Sequence, residues 1–195
     1  MVKTEKGLEK KVIICKGAQS ELYQQIQLFH AYKVQLAQAG DALIATPKTV
    51  FQDPKPIPMS PIDFLIKHVN IKLTTLADIY DNLSRLIDVG GRKLADEFDL
   101  RGIRGIVVNY RAGTRPDGTK WGRYIISDDS VAEEKVVDGK VIPKQLTVWT
   151  PVSQMKYDID SEILVVGTIQ AGEEPFMNAI CVVPIHAKPI PSQFT

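Results

Sequence analysis

The sequence predicts an α+β protein, with helices in the N-terminal half followed by a five-stranded antiparallel β-barrel. Apolar residues recur at three- and four-residue steps before Gly91, and after Gly102 they fall in short runs rich in Val, Ile, Tyr and Trp. The 195 residues leave room for a compact domain of about 90 residues beside a smaller region. We therefore expect a helical region over residues 1–98, a barrel over 99–188 and a tail over 189–195.

Three segments of the N-terminal half have helical periodicity. The first, residues 20–39, has an apolar stripe and ends at a glycine. A proline-rich extended connector follows over residues 46–61, because proline cannot continue a helix. The second segment, 60–70, and the third, 75–91, each begin with a capping Ser or Thr that is followed three residues later by an acid. Their apolar stripes are typical of core packing.

The second half has the short, turn-bounded runs that are typical of strands. A turn is predicted at residues 115–119, where proline presets the turn and glycine can take positive φ. The insert 131–144 contains a second turn signal and is a candidate hairpin. The polar segment 151–160 has room for one or two helical turns. The five predicted strands are 103–111, 121–127, 145–150, 162–170 and 177–185.

Charge is distributed unevenly along the chain, although the net charge is only +1. Between residues 101 and 124 the chain has a single acid, Asp117, whereas residues 128–162 are mostly acidic. A basic segment of this kind can form one face of a domain. Its cations are Arg101, Arg104, Arg111, Arg115, Lys120 and Arg123.

Several classes of protein are disfavoured by the sequence. No apolar run approaches the roughly 18 to 20 residues of a membrane span, and the N-terminal apolar run is too short for a signal peptide, so we expect a cytoplasmic, intracellular protein. Cys15 and Cys181 are far apart, and the three histidines are scattered, so we expect no disulfide and no metal site.

Catalysis is not indicated either. No Ser/His/Asp arrangement, phosphate-binding loop or dinucleotide fingerprint is present. Asp128 and Asp129 are adjacent, so their side chains face opposite ways on a strand, which favours a turn over a catalytic pair. We expect no enzyme activity and no cofactor.

The order of the second half resembles the OB-fold of the replication protein A family of single-stranded DNA-binding proteins. The resemblance covers less than half of the chain, which lacks the zinc-binding cysteines of some family members and the acidic C-terminal tail of bacterial single-stranded DNA-binding proteins. It implies a binding face on the first three barrel strands. The segments that carry it are 105–111, 121–130, 146–149, 162–169 and 178–183.

Alternation along the strands ranks the candidate binding residues. Trp121 and Arg123 share one face, whereas Tyr124 has the opposite parity and is expected in the core. Tyr110 is in phase with Ile106 and Val108, which also favours the core. Trp121, Trp149, Arg123 and Arg111 rank first. The full set of candidates is Trp121, Arg123, Arg111, Trp149, Arg115, Lys120, Arg104, Tyr110, Tyr124 and Phe176.

Cations that follow phosphates and aromatic rings that stack on bases are what a sequence-tolerant single-strand binder needs. The leading hypothesis is a single-stranded DNA-binding protein that acts in replication, recombination or repair. The alternative is an OB-fold structural or adaptor subunit that binds protein partners, or RNA, in a larger assembly; the near-neutral net charge favours it. The helical half is expected to pack on the barrel or to mediate self-association into a homo-oligomer.

Overall fold

The chain divides into two compact units, residues 1–70 and 71–195, in the computed structural model. The predicted domain boundary at 98/99, the third helix beyond Asp81, and Cys15 lie outside the described residues. The residues that the structure describes are 2–4, 7–9, 13–14, 26–40, 42–81, 100–131, 134–137, 140–170 and 174–190.

The first unit contains short strands in small sheets. Strands β1 and β2 pair with each other, β6 pairs with β3 and β5, and β4 pairs with β7. The strands are β1 (Val2–Thr4), β2 (Gly7–Glu9), β3 (Ile13–Ile14), β4 (His30–Lys33), β5 (Ala37–Ala39), β6 (Ala42–Ile44) and β7 (Gln52–Pro56).

The helix predicted over residues 20–39 is wrong in its described part, which contains strands β4 and β5. The aromatic residues that suggested a helical stripe pack instead against residues from the proline-rich segment and from beyond it. The Tyr32 ring meets Phe51 edge-on with centroids 5.6 Å apart, and the Phe29 ring meets Phe64 at 6.5 Å. Phe29, the residue just before β4, has φ 58°, a left-handed conformation that is incompatible with a continuous α-helix.

A helix does begin at Ser60. The Ser60 hydroxyl accepts a hydrogen bond from the Asp63 backbone N–H, and proline occupies the first helical position. Helix α1 (Pro61–Phe64) continues as a π-helical turn (Leu65–Val69) and ends at Asn70, which is left-handed.

The predicted α+β class is therefore wrong. The described residues are mostly strand, with more than five strands and no set of N-terminal helices. Helix is confined to residues 61–69, α2 (Leu76–Asp81) and a 3-10 turn (Val152–Gln154) within the described residues. No helix in the described part of the chain is long and apolar enough to cross a bilayer.

Five strands of the second unit form a closed barrel. The order is β9, β10, β13, β15, β14 and back to β9, with β13 and β15 parallel and the other barrel pairs antiparallel. This is the connectivity of an OB-fold barrel. The strands are β9 (Arg101–Thr114), β10 (Lys120–Ser127), β13 (Leu146–Thr150), β14 (Glu162–Gln170) and β15 (Phe176–His186).

Two smaller elements accompany the barrel. Strand β8 (Lys72–Leu73) runs parallel to the start of β9. The insert between β10 and β13 is a hairpin, as predicted, made of β11 (Glu134–Val137) and β12 (Lys140–Pro143).

Helix α2 packs its apolar side into the barrel core, where Leu76 and Ile79 are buried with Val107 and Tyr124. Its first turn has the predicted capping box between Thr75 and Asp78, whose hydrogen bonds lower the pKa of Asp78. The barrel completes the cap. Asp128 Oδ2 accepts from the Leu76 N–H at 2.9 Å, and Ser130 Oγ accepts from the Ala77 N–H at 3.0 Å.

The backbones of β14 and β15 lie close together at Gly167. Val166 pairs with Cys181 and Gly167 with Ala179, so Ile180 is an extra residue that forms a β-bulge. A Cβ atom at Gly167 would lie 2.1 Å from the Asn178 carbonyl oxygen and 2.8 Å from the Ala179 Cα. Both neighbours are backbone atoms, so only glycine fits.

We expect Gly167→Ala to lower the free energy of unfolding by more than about 3 kcal/mol, because β14 and β15 must separate locally. Gly118→Ala is the control. Gly118 has φ +83° but open space around it, so alanine there costs only the left-handed strain of about 1 to 2 kcal/mol. Urea denaturation followed by circular dichroism measures both, and equal losses would contradict the steric explanation.

Candidate nucleic-acid interface

The outer face of the barrel contains a row of side chains that crosses four strands. Arg123 of β10 lies opposite Arg111 of β9 on one side and Trp149 of β13 on the other. Trp149 in turn lies opposite Asn178 of β15. Residues directly opposite each other in neighbouring strands project to the same face, so these four side chains form the central row of the site.

A β-bulge at Val108 decides which residues of β9 join that row. Ile125 pairs with Asn109 and Ile126 with Val107, which leaves Val108 without a partner. Residues on the two sides of the bulge therefore alternate in opposite phase. Val107 before it is fully buried, whereas Arg111 after it is exposed.

Tyr110 faces the core as the sequence predicts. Alternation along the strand predicts it in phase with Ile106 and Val108, and the structure differs on that point. Ile106 is 42% exposed, and Val107 is buried in its place, because the bulge shifts the alternation. The Tyr110 ring contacts Tyr124 edge-on with centroids 6.5 Å apart, and burial raises the pKa of its hydroxyl. Tyr110 is thus a core-facing ring beneath the face.

Trp121 and Trp149 form a single aromatic platform. Their rings are T-shaped with centroids 5.7 Å apart, and both side chains are partly exposed. Trp121 lies over Gly113, where an added Cβ would come within 2.9 Å of the indole. The Arg123 guanidinium carbon lies 5.8 Å from the Trp149 ring centroid, a cation–π contact that orients this ring.

A second row runs beside the first, two residues away from it on each strand. Ile125 lies opposite Asn109 and Thr147, and Thr147 lies opposite Phe176. Phe176 is partly exposed, so it extends the aromatic platform toward β15.

Three cations of this face have no acidic partner within the described residues. Arg111, Lys120 and Arg123 form no ion pair there, whereas the charge of Arg115 adds to the hydrogen bonds from Thr119 in lowering the pKa of Asp117. Nε of Arg123 is buried without a hydrogen-bond acceptor. Arg111 and Arg123 even lie directly opposite each other, an arrangement of like charges that destabilises a sheet. The described residues thus supply no counter-anion to this arginine pair.

The turn that carries two of these cations is preformed. Arg115 N–H donates to the Thr119 carbonyl at 2.8 Å, and Gly118 N–H donates to the Arg115 carbonyl at 2.9 Å. Asp117 accepts from the Thr119 N–H, which lowers the pKa of its carboxyl. Arg115 and Lys120 are held at the rim of the face by this predicted turn.

Arg104 does not belong to the face. Its Nε donates to Glu162 Oε1, and His186 Nδ1 lies 2.7 Å from the other oxygen of the same carboxylate. These contacts, that of Arg104 first, lower the pKa of Glu162. Arg104 precedes the bulge and lies roughly 20 Å along the strand from Arg111. This ion pair could not be predicted from the sequence, because Arg104 and Glu162 are far apart in the chain.

Tyr124 is unavailable to a ligand because it is fully buried. Its hydroxyl donates to the Gln154 carbonyl at 3.1 Å and accepts from the backbone N–H groups of Lys156 at 2.9 Å and Tyr157 at 3.1 Å. Burial raises the pKa of this hydroxyl, so it remains protonated and can donate. Tyr124 therefore ties β10 to the segment after β13.

No family model matches the chain, and no curated protein is similar to it in sequence. Solved structures do resemble parts of it. A small single-stranded DNA-binding protein from Streptomyces coelicolor has 12% identity and a TM-score of 0.31, over 44% of this chain and 90% of that one. The mitochondrial single-stranded DNA-binding protein Rim1 from S. cerevisiae has 11% identity and a TM-score of 0.34, over 49% and 99%. Yeast Stn1 and Ten1 have 10% identity and a TM-score of 0.44, over 80% and 79%.

We expect Tyr124→Phe to lower the free energy of unfolding by about 1 to 3 kcal/mol, because two backbone N–H groups lose their acceptor. The outer face should be unchanged, since the phenyl ring keeps its place in the core. Urea denaturation measures the first effect and near-ultraviolet circular dichroism of the tryptophans the second. An unchanged stability would contradict the role given to the hydroxyl.

Proposed function

We propose that this protein binds single-stranded DNA on the outer face of β9, β10 and β13. The observation that carries the proposal is the combination of a partly exposed tryptophan pair with three cations, Arg111, Lys120 and Arg123, that have no acidic partner in the described part of the chain. Phosphates supply the missing negative charge, and the flat faces of unpaired bases stack on the rings. A duplex would keep those base faces covered, which favours a single strand.

Three cations elsewhere in the molecule differ from those of the face, and the difference supports the proposal. Arg104 pairs with Glu162, Lys188 with Asp160 and Lys33 with Asp53. These three cations away from the face have acidic partners, whereas Arg111, Lys120 and Arg123 have none among the described residues. Binding of a polyanion would relieve the repulsion between Arg111 and Arg123, and this relief would contribute to the affinity.

Binding depends little on base sequence, because every nucleotide has a phosphate to contact and a base that can stack. A role in replication, recombination or repair as a non-catalytic, cofactor-free binding protein is part of the proposal. The preference for DNA over RNA rests on the resemblance of the strand order to the replication protein A family.

The first test compares two arginines of the same strand. We expect Arg111→Ala to weaken binding to a dT oligonucleotide of about 16 nucleotides and to reduce the slope of log affinity against log salt by about 0.7, because one phosphate contact is lost. Arg104→Ala is the matched control, since Arg104 already has Glu162 as its partner. Fluorescence anisotropy at several salt concentrations measures both.

Equal effects of the two arginine variants would place the strand elsewhere on the surface. Absence of any binding at low salt would overturn the proposed function and leave the protein-binding adaptor as the alternative.

The second test uses the two tryptophans, which are the only ones in the sequence and both lie on the face. We expect their fluorescence to be quenched on binding, and Trp149→Ala to cost about 1 to 3 kcal/mol of binding free energy through lost stacking. Tyr110→Phe is the control, because that ring faces the core. Binding without any change in tryptophan emission would contradict the assigned face.

A further inference from the structure

The side chains of the outer face change in character from β9 across to β14. Cations occupy β9, β10 and the turn between them, and the tryptophan pair occupies β10 and β13. Beyond Trp149 the central row continues with Asn178 of β15 and Thr168 of β14, and the second row continues from Phe176 to Gln170. The far side of the platform therefore carries uncharged hydrogen-bonding groups.

Asn178 stands at the junction of these zones. It lies opposite Trp149 on one side and Thr168 on the other, and its side chain is exposed. No described residue hydrogen-bonds to its side-chain amide. Both a donor and an acceptor are thus free beside the aromatic platform.

The backbone holds Asn178 firmly in this place. Its carbonyl oxygen abuts Gly167, and the bulge at Ile180 follows two residues later. Gln154 fixes that bulge through its side chain, which donates to the Ile180 carbonyl at 3.1 Å and accepts from the Val182 N–H at 2.7 Å. An amide on such a support can recognise a partner with little loss of backbone freedom.

The same order of chemistry is found in a nucleotide, which has a charged phosphate at one end, the flat face of the base in the middle and a hydrogen-bonding edge at the other. Neighbouring strands are about 4.8 Å apart, so Arg123, Trp149 and Asn178 span about 10 Å across the face. A base that stacks on Trp149 with its phosphate toward Arg111 and Arg123 directs its edge to β15.

We propose that Asn178 hydrogen-bonds to the edge of the base that stacks on Trp149 and so gives the site a base preference. This inference rests on the proposed function. Base edges place donors and acceptors side by side, as an amide does, and proteins read unpaired bases through such pairs. The result is a graded preference added to sequence-tolerant binding by the cations and rings.

The test measures the affinity of dT, dC and dA oligonucleotides of equal length for the wild-type protein and for Asn178→Ala. We expect the best and worst wild-type affinities to differ by about fivefold or more, and the variant to reduce that difference to about twofold. The salt dependence should stay the same, because no phosphate contact changes. Gln52→Ala is the control, because it removes an exposed side-chain amide on β7, outside the barrel, and should leave the difference between the oligonucleotides unchanged.

A strand with abasic sites gives a second readout, because it keeps the phosphates and lacks the base edges. Wild type and Asn178→Ala should bind it equally. Equal wild-type affinities for the three oligonucleotides, or an unchanged difference in Asn178→Ala, would overturn the assignment of Asn178 while leaving strand binding intact. Failure to bind any oligonucleotide would overturn the proposed function and this inference with it.

Discussion

The extra residue in β9 is the constraint on which the candidate site depends. Val108 has no partner in β10, and side chains on the two sides of it alternate in opposite phase. The first part of β9 can therefore bury Ile103 and Val107 against the core, while the later part turns Arg111 outward. Without the bulge one of these sets would face the wrong way, and a charged guanidinium would enter an apolar core.

The two sides of the face are linked through one side chain and one turn. Tyr124 follows Arg123 on β10, and its buried hydroxyl binds the backbone of residues 154, 156 and 157. Gln154 in that turn extends its amide to β15 on both sides of Cys181. The position of Asn178 on the far side of the platform is thus coupled to the strand that carries Trp121 and Arg123.

The barrel could be predicted because its signals are local. Short apolar runs and the 115–119 turn place the five strands, and alternation separates Trp121 and Arg123 from the buried Tyr124. The prediction of a helix over residues 20–39 was wrong for the opposite reason. Its aromatic spacing fits a helix, yet Tyr32 pairs with Phe51 from the proline-rich segment, a long-range contact that a periodicity argument does not contain.

The sequence also does not predict which side chains strand pairing brings next to each other. Asn178 joins the central row because the parallel pairing of β15 with β13 places it opposite Trp149. Arg104 has an acidic partner because Glu162 lies on the neighbouring strand β14. Net charge misleads in the same way. A total of +1 suggests a weak partner for a polyanion, but charges separated by more than a Debye length of about 8 Å hardly affect each other at physiological salt. Arg104 and Lys188 pair with Glu162 and Asp160, so the local field at the face comes mainly from Arg111, Lys120 and Arg123, and a net charge of +1 does not argue against the proposed binding of a phosphate backbone there.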